Sequence, residues 1–273
     1  MSTAIHFAAR DIKRNGERRS GNKGQPSNLF TKKSLGIILV NSTMDKILLI
    51  KKRFTYEFDD FVHGRYNPDN DFVLRKMLGG MTLEEKLVIR SLNYDYIWFK
   101  KHLVNLRNDA YYRGQAKFIA NFMEKDRGAH LLKELRDTPY SDTTLYEFPK
   151  GRKKIKNEPN IITAMRELHE EANIKEGNYR IVPHIKKSTV DIDDGVRYLC
   201  IYYVAISLKN VQPSVRIDTS EQYFEVSETG WFDLSEVKTL SGNGRLFSMA
   251  KSVMRQLRRE KKYCMKEGNL FFL

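Results

Sequence analysis

Phe148–Ile174, FPKGRKKIKNEPNIITAMRELHEEANI, joins a basic glycine turn to a helix crowded with carboxylates. Pro159 suits a first helical turn, and Ile161, Met165, Leu168 and Ala172 recur at helical spacing as a buried stripe. Glu167, Glu170 and Glu171 lie three and four residues apart, so a 3.6-residue period gathers them on another face. Like charges so placed destabilise a helix by roughly 0.2–0.5 kcal/mol per pair, and a divalent cation would reverse that sign. A solvated acidic face is the plain alternative.

The flanking residues favour the cation. Five of the seven residues Lys150–Lys156 are basic and surround Gly151. Lys150 and Arg152 are candidate phosphate contacts, so that a diphosphate would be held by lysine and arginine on one side and a metal on the other. Arg166, eight residues after Glu158 and four before Glu170, is assigned to bracing a carboxylate, which gives Glu158 a structural role.

These residues resemble the Nudix box, G-x5-E-x7-R-E-U-x-E-E-x-G-U with U aliphatic. Gly151, Glu158, Arg166, Glu167, Leu168, Glu170, Glu171 and Ile174 fill it. Six residues rather than five follow Gly151, and Asn173 replaces the last glycine. Asn tolerates the left-handed backbone required there. The resemblance implies an α/β class fold, a Nudix α/β/α sandwich with a mixed sheet.

The 273-residue chain has a formal net charge of +14, which points to a polyanionic partner, nucleic acid ahead of an anionic membrane surface. Two cysteines, Cys200 and Cys264, suggest neither a disulfide framework nor a zinc cluster and fit a cytoplasmic setting. No apolar run reaches the roughly 18 residues of a membrane span, and the basic start lacks a signal-peptide core.

Residues 1–33 carry eight basic and two acidic residues and read as a mobile basic arm. Ser34–Val40 and Lys46–Lys51 read as a hairpin that begins the sheet. About a hundred residues then separate it from Gly151, so the catalytic domain is discontinuous, 34–55 and 140–273, around a helical insert at 56–139. After a Gly79–Gly80 break, Thr82 and Glu85 have capping-box spacing, followed by helices at Tyr94–Val104, Ala110–Glu124 and Ala129–Arg136. Dense aromatics interleaved with Lys100, Lys101, Arg107, Arg113 and Lys117 suit an RNA body, although a helical core with basic solvated faces explains the same pattern. Tyr179–Val190 and Arg197–Ser207 read as strands, and Gly244–Lys262 as an amphipathic closing helix with a basic face that is a second RNA candidate.

Further resemblance lies outside the box. Tyr56–Tyr66 (YEFDDFVHGRY), Met81–Phe99 and the SGNG of Ser241–Gly244 are similar to mRNA-decapping Nudix enzymes of large DNA viruses, African swine fever virus and poxviruses among them. Phe148–Gly151 also resembles the lead-in of diphosphoinositol-polyphosphate enzymes. The viral resemblance implies hydrolysis of the cap of mRNA to 7-methyl-GDP and 5′-monophosphate RNA in the cytoplasm of an infected cell. Glu167, Glu170, Glu171 and Gly151 would then hold Mg²⁺ or Mn²⁺. Glu167 is also the candidate for the attacking water, Glu171 and Arg166 complete the catalytic box, and Glu225 is the distal carboxylate, with Glu221 and Glu228 in reserve. Tyr56, Tyr198 and Asp191 are the candidates for binding the methylated base. Diphosphoinositol or dinucleoside polyphosphates are the alternative substrates, and a degenerate RNA-binding Nudix protein is the non-enzymatic alternative.

Overall fold

The computed structural model describes residues 30–103, 107–193, 196–216, 224–240 and 244–266. The arm to residue 29, Glu221 and Ser241–Asn243 lie outside them. At the other end of the expected arm, Thr31–Lys33 already belong to the first strand, β1 (Thr31–Val40).

β1 is the axis of a mixed seven-stranded sheet. It runs parallel to β6 (Val196–Ser207) over the register Thr31↔Arg197 to Val40↔Ile206. On its other side it meets β2 (Lys46–Lys52) antiparallel, and it also pairs with the two-residue β4 (Lys150–Gly151). β3 (Tyr146–Glu147) and β7 (Val226–Asp233) are both antiparallel to β2, and β5 (Tyr179–Asp193) closes the far edge against β6.

The apolar run of β1 is buried on both faces, as an inner strand between two helical layers must be. Leu35, Ile37 and Leu39 meet Ala164, Leu168 and Ala172 of the box helix. Ile38 and Val40 meet Val237 and the closing-helix residues Ala250, Val253 and Leu257 on the opposite face. The period of two along β1 thus divides its side chains between two cores and gives the α/β/α arrangement.

Between β2 and β3 the chain makes α1 (Tyr56–Val62), α2 (Asp71–Gly80), α3 (Leu83–Arg90), α4 (Tyr94–His102), α5 (Asp109–Phe118), a π turn at Ile119–Met123, the short α6 (Glu124–Asp126) and α7 (Ala129–Asp137). Phe58, Phe61, Leu74, Ile89, Tyr94, Trp98, Tyr111, Phe118, Phe122 and Leu131 form a separate apolar cluster there. Gly79 and Gly80 do not break the chain; they are the last two residues of α2. A Cβ on Gly80 would lie 2.8 Å from Glu57, so close packing of α1 explains the glycine there.

The aromatics expected to offer stacking faces are largely this core, with Tyr96, Phe99 and Tyr112 the exposed members. Several interleaved cations are also engaged. Lys101 pairs with Asp59 at 3.1 Å and Arg107 with Asp95 at 3.3 Å. Lys117 donates to the Gly64 and Tyr66 carbonyls at 2.7 and 2.6 Å.

Glu85 joins the start of this segment to its middle. Its carboxylate accepts from the Thr55 amide and hydroxyl at 2.7 and 2.8 Å, and from the Thr82 amide at 2.8 Å. Thr55 and Thr82 are the N-caps of α1 and α3. Glu85→Ala orphans two buried donors and a part-buried one and is expected to lower unfolding stability by about 2–4 kcal/mol, read as a reduced urea midpoint.

Candidate active site

Two absent side chains let the box helix α8 (Asn160–Ala172) reach the sheet. A Cβ on Gly36 would lie 2.2 Å from the Pro149 carbonyl oxygen, and one on Gly151 2.2 Å from the Glu167 carboxyl carbon. The Pro149 carbonyl therefore lies over β1, accepting from the Ile37 amide at 3.2 Å. The Lys150 amide donates to Glu171 Oε2 at 2.8 Å, tying β4 to α8. At the far end of the helix Asn173 is left-handed, with φ of 54°, the conformation that the missing glycine would supply.

Arg166 forms the hub expected of it. It donates from Nε to Glu158 at 2.9 Å and from Nη1 to Glu167 and Glu170 at 2.7 Å each. Nη2 reaches the Arg152 carbonyl at 2.8 Å. The Arg166 hydrogen bond pulls the Glu158 pKa down to about 2, where it stays ionised. Glu170 also accepts from Lys154 Nζ at 2.7 Å, so both its oxygens are occupied.

Glu167 and Glu171 are not on a solvated face; they are 7% and 2% exposed, turned toward β4 and the end of β2. Burial pushes their pKa values up to about 7 and about 8, against the pull of Arg166 on the first and of Lys52 and Lys150 on the second. Glu171 Oε1 is buried without a hydrogen-bond partner, as is Glu147 Oε1. Glu225 faces the same centre, and its charge raises both pKa values further.

Among the described residues no trio of His, Cys, Asp or Glu is drawn together as a ready ligand set. The charge balance still suits a divalent ion. Six carboxylates (Glu147, Glu158, Glu167, Glu170, Glu171 and Glu225) are matched by four cations, Lys52, Lys150, Lys154 and Arg166. With every one of these groups ionised, that leaves two negative charges. The two carboxyls with raised pKa are Glu167 and Glu171, which carry a hard all-oxygen donor set and one unpartnered buried oxygen. The residues fit the group.

The remaining predicted residues are dispersed. Lys150 turns its ammonium to the Glu147 carboxylate and stands 3.2 Å from the Tyr56 hydroxyl, which itself donates to Glu147 at 2.9 Å. Arg152 is exposed. Tyr56 is no core residue: it opens α1, 46% exposed, beside this cluster. Asp191 and Tyr198 are cross-strand partners on β5 and β6, with Asp191 paired to Arg245 and Lys32 over the Tyr198 ring. They lie on the β6–β5 side of β1, whereas Tyr56 follows β2 on its other side. Glu228 points to Tyr146 at 3.1 Å and Lys51 at 4.0 Å.

Sequence reasoning missed Lys52 and Glu147. Lys52 Nζ lies 3.9 Å from Glu147, 3.8 Å from Glu171 and 3.9 Å from Glu225. Glu147, three residues before Lys150, carried an opposite-charge spacing that could have flagged it. Lys52 had none, since its partners lie 95 or more residues away.

A basic glycine strand and a glutamate helix against a mixed sheet are the arrangement of a Nudix hydrolase. The mRNA-decapping protein g5R of African swine fever virus (isolate Pig/Kenya/KEN-50/1950) is 31% identical over 219 residues, 77% of this chain and 88% of that protein. A putative mRNA-decapping protein of Acanthamoeba polyphaga mimivirus is 24% identical, over 69% of this chain and 58% of its own. A Caenorhabditis elegans Ap4A hydrolase binary complex superposes with a TM-score of 0.43 at 12% identity, covering 83% of this chain and 97% of that one. No protein-family model matches the sequence. The chain belongs to the family of the viral mRNA-decapping protein g5R, among the Nudix hydrolases.

The raised carboxyls predict how the metal-free protein responds to pH. Their folded pKa values, about 7 and 8, exceed the unfolded glutamate value of about 4.3, so the stability they contribute is complete below that value. It is lost as pH rises through the folded values. In EDTA the melting temperature should fall from about pH 5 to about pH 8 and level off above, and Glu171→Gln, neutral throughout, should flatten that fall. An equal slope in the variant would contradict the assignment.

Proposed function

We propose that this enzyme hydrolyses the cap of mRNA, releasing 7-methyl-GDP and 5′-monophosphate RNA. The observation that carries the reading is the buried Glu167–Glu171 pair behind Gly151, in a cluster with two more carboxylates than cations, in a chain related to proteins named for mRNA decapping.

Glu167, Glu171 and the Gly151 carbonyl would hold Mg²⁺ or Mn²⁺, with Glu170 the outermost member of the set. Such an ion, when bound, neutralises the phosphate oxygens and acidifies water. The chain's own residues supply the rest. Glu167 takes the proton of the attacking water as its oxygen bonds to phosphorus and the bridging P–O bond breaks. Arg166, fixed by Glu158, holds Glu167 in place. Glu225, on the opposite rim, is the distal carboxylate. The exposed face of Tyr56 is the best placed of the three aromatic and acidic candidates to stack on the methylated base. The RNA body would follow exposed cations of the insert, such as Lys100 and Arg113, and of the closing helix. Its site of action would be the cytoplasm of an infected cell. No helix among the described residues is long and apolar enough to cross a membrane.

The test uses cap-radiolabelled RNA with Mg²⁺ or Mn²⁺, scoring labelled 7-methyl-GDP. Glu171→Gln should lower turnover about a hundredfold or more, with an unchanged circular dichroism spectrum. Hydrolysis of diphosphoinositol or dinucleoside polyphosphates with capped RNA untouched would overturn the substrate assignment. Binding without any hydrolysis would make this a degenerate RNA-binding member.

Uncapped RNA should compete more strongly than cap dinucleotide. The affinity for capped RNA should fall with salt at a slope of about −0.7 in log K per single-strand phosphate neutralised. A slope near zero would remove the RNA body from the reading.

A further inference from the structure

Lys52 is the last residue of β2, beyond a register shift between Lys51 and Lys52 against β7. The extra residue, Ser227, is on β7, so it is β7 that bends there while Lys52 stays in line at the end of β2. The backbone is held at both ends: the Lys52 amide donates to the Leu145 carbonyl at 2.9 Å, and its carbonyl accepts from the Thr144 hydroxyl. The side chain, 18% exposed, extends into the space between Glu147, Glu171 and Glu225, contributed by β3, α8 and the residue before β7.

Its ammonium stands 3.8–3.9 Å from all three carboxylates and within ordinary hydrogen-bond reach of none. A lysine built to staple two elements would sit at about 2.8 Å from one acid. A cation balanced among three acids instead acts as a mobile point charge, the property in which lysine differs from arginine. Glu171 Oε1, one of its three neighbours, is also the buried oxygen left without a hydrogen bond.

We propose that Lys52 is the internal counter-ion of the cation site, offsetting one charge shared among Glu171, Glu147 and Glu225 before a divalent ion binds and contacting a phosphate oxygen of the diphosphate afterwards. The inference rests on the metal-dependent reading above. It makes Lys52 a competitor of the metal and a partner of the substrate, two effects of opposite sign. A merely structural lysine would produce neither combination.

The experiment measures Mn²⁺ affinity of the full chain by the paramagnetic resonance of free Mn²⁺, then inorganic pyrophosphate affinity at saturating Mn²⁺. Lys52→Met and Lys52→Gln should each bind Mn²⁺ about tenfold more tightly, because a positive charge beside the ion is gone. The same variants should bind pyrophosphate about tenfold more weakly, while Lys52→Arg stays within about threefold of wild type on both. In EDTA the neutral variants should melt lower than wild type, and excess Mn²⁺ should restore them. Using both Met and Gln, with melting curves, separates misfolding from the effect sought. Unchanged or weakened Mn²⁺ binding in folded neutral variants would overturn the role of Lys52 while wild-type binding upholds the metal site. Wild-type protein that binds no Mn²⁺ would overturn the metal reading, and this inference with it.

Discussion

The approach of α8 to β4 is the contact on which the site depends. It is as close as it is because positions 36 and 151 carry no Cβ, so Pro149 lies on β1 and the Glu167 carboxyl fills the space beside Gly151. The helix cannot retreat, since Leu168 and Ala172 are buried against Leu35, Ile37 and Leu39 of the same strand. Apolar packing therefore forces carboxylates into a dry seam, which is where their pKa values rise. A divalent ion held there, as proposed above, would recover the cost of that burial and couple stability to function through the same two glutamates.

Around the seam the cations divide by geometry. Arg166 uses its planar fork to fix three acids at hydrogen-bond distance, and the backbone amide of Lys150 fixes a fourth. These contacts orient. Lys52, almost equidistant from its three acids, compensates charge without orienting anything. Rigid and loose compensation together give a site whose carboxylates are placed in advance and whose net charge can still change.

How much of this was legible in sequence depended on the range of the interactions. The box helix and the Leu168 and Ala172 part of its stripe follow from helical spacing, although Ile161 and Met165 are only part-buried and Ala164 is buried in their stead. The Arg166–Glu158 pair joins the helix to the residue before its N-cap. The sheet was legible as apolar runs, although β1 begins at Thr31 rather than Ser34, because parallel pairing with Arg197 and Tyr198 extends it. In the insert, composition left two readings open, and the contacts favour the helical core for most of the aromatics. Its aromatics pack on one another, and Lys101, Arg107 and Lys117 serve carboxylates and carbonyls whose positions no local pattern reveals.

The same limit explains why the contacts of Tyr56 have no signature in the sequence. Its partners Glu147 and Lys150 lie across the whole insert, 91 and 94 residues on. Once β2 and β3 pair through Ile50↔Glu147, however, the two ends of the insert must lie side by side at the site. Thr55, which caps α1, is bound by Glu85, and Glu85 also bonds the amide of Thr82, the cap of α3. A continuous chain of hydrogen bonds thus links α3 through Thr55 to the residue next to Tyr56. The orientation of the helical segment and the placing of the Tyr56 ring are consequently one structural variable, so any substrate that stacks on that ring must meet the helices in a fixed relation to the carboxylate seam.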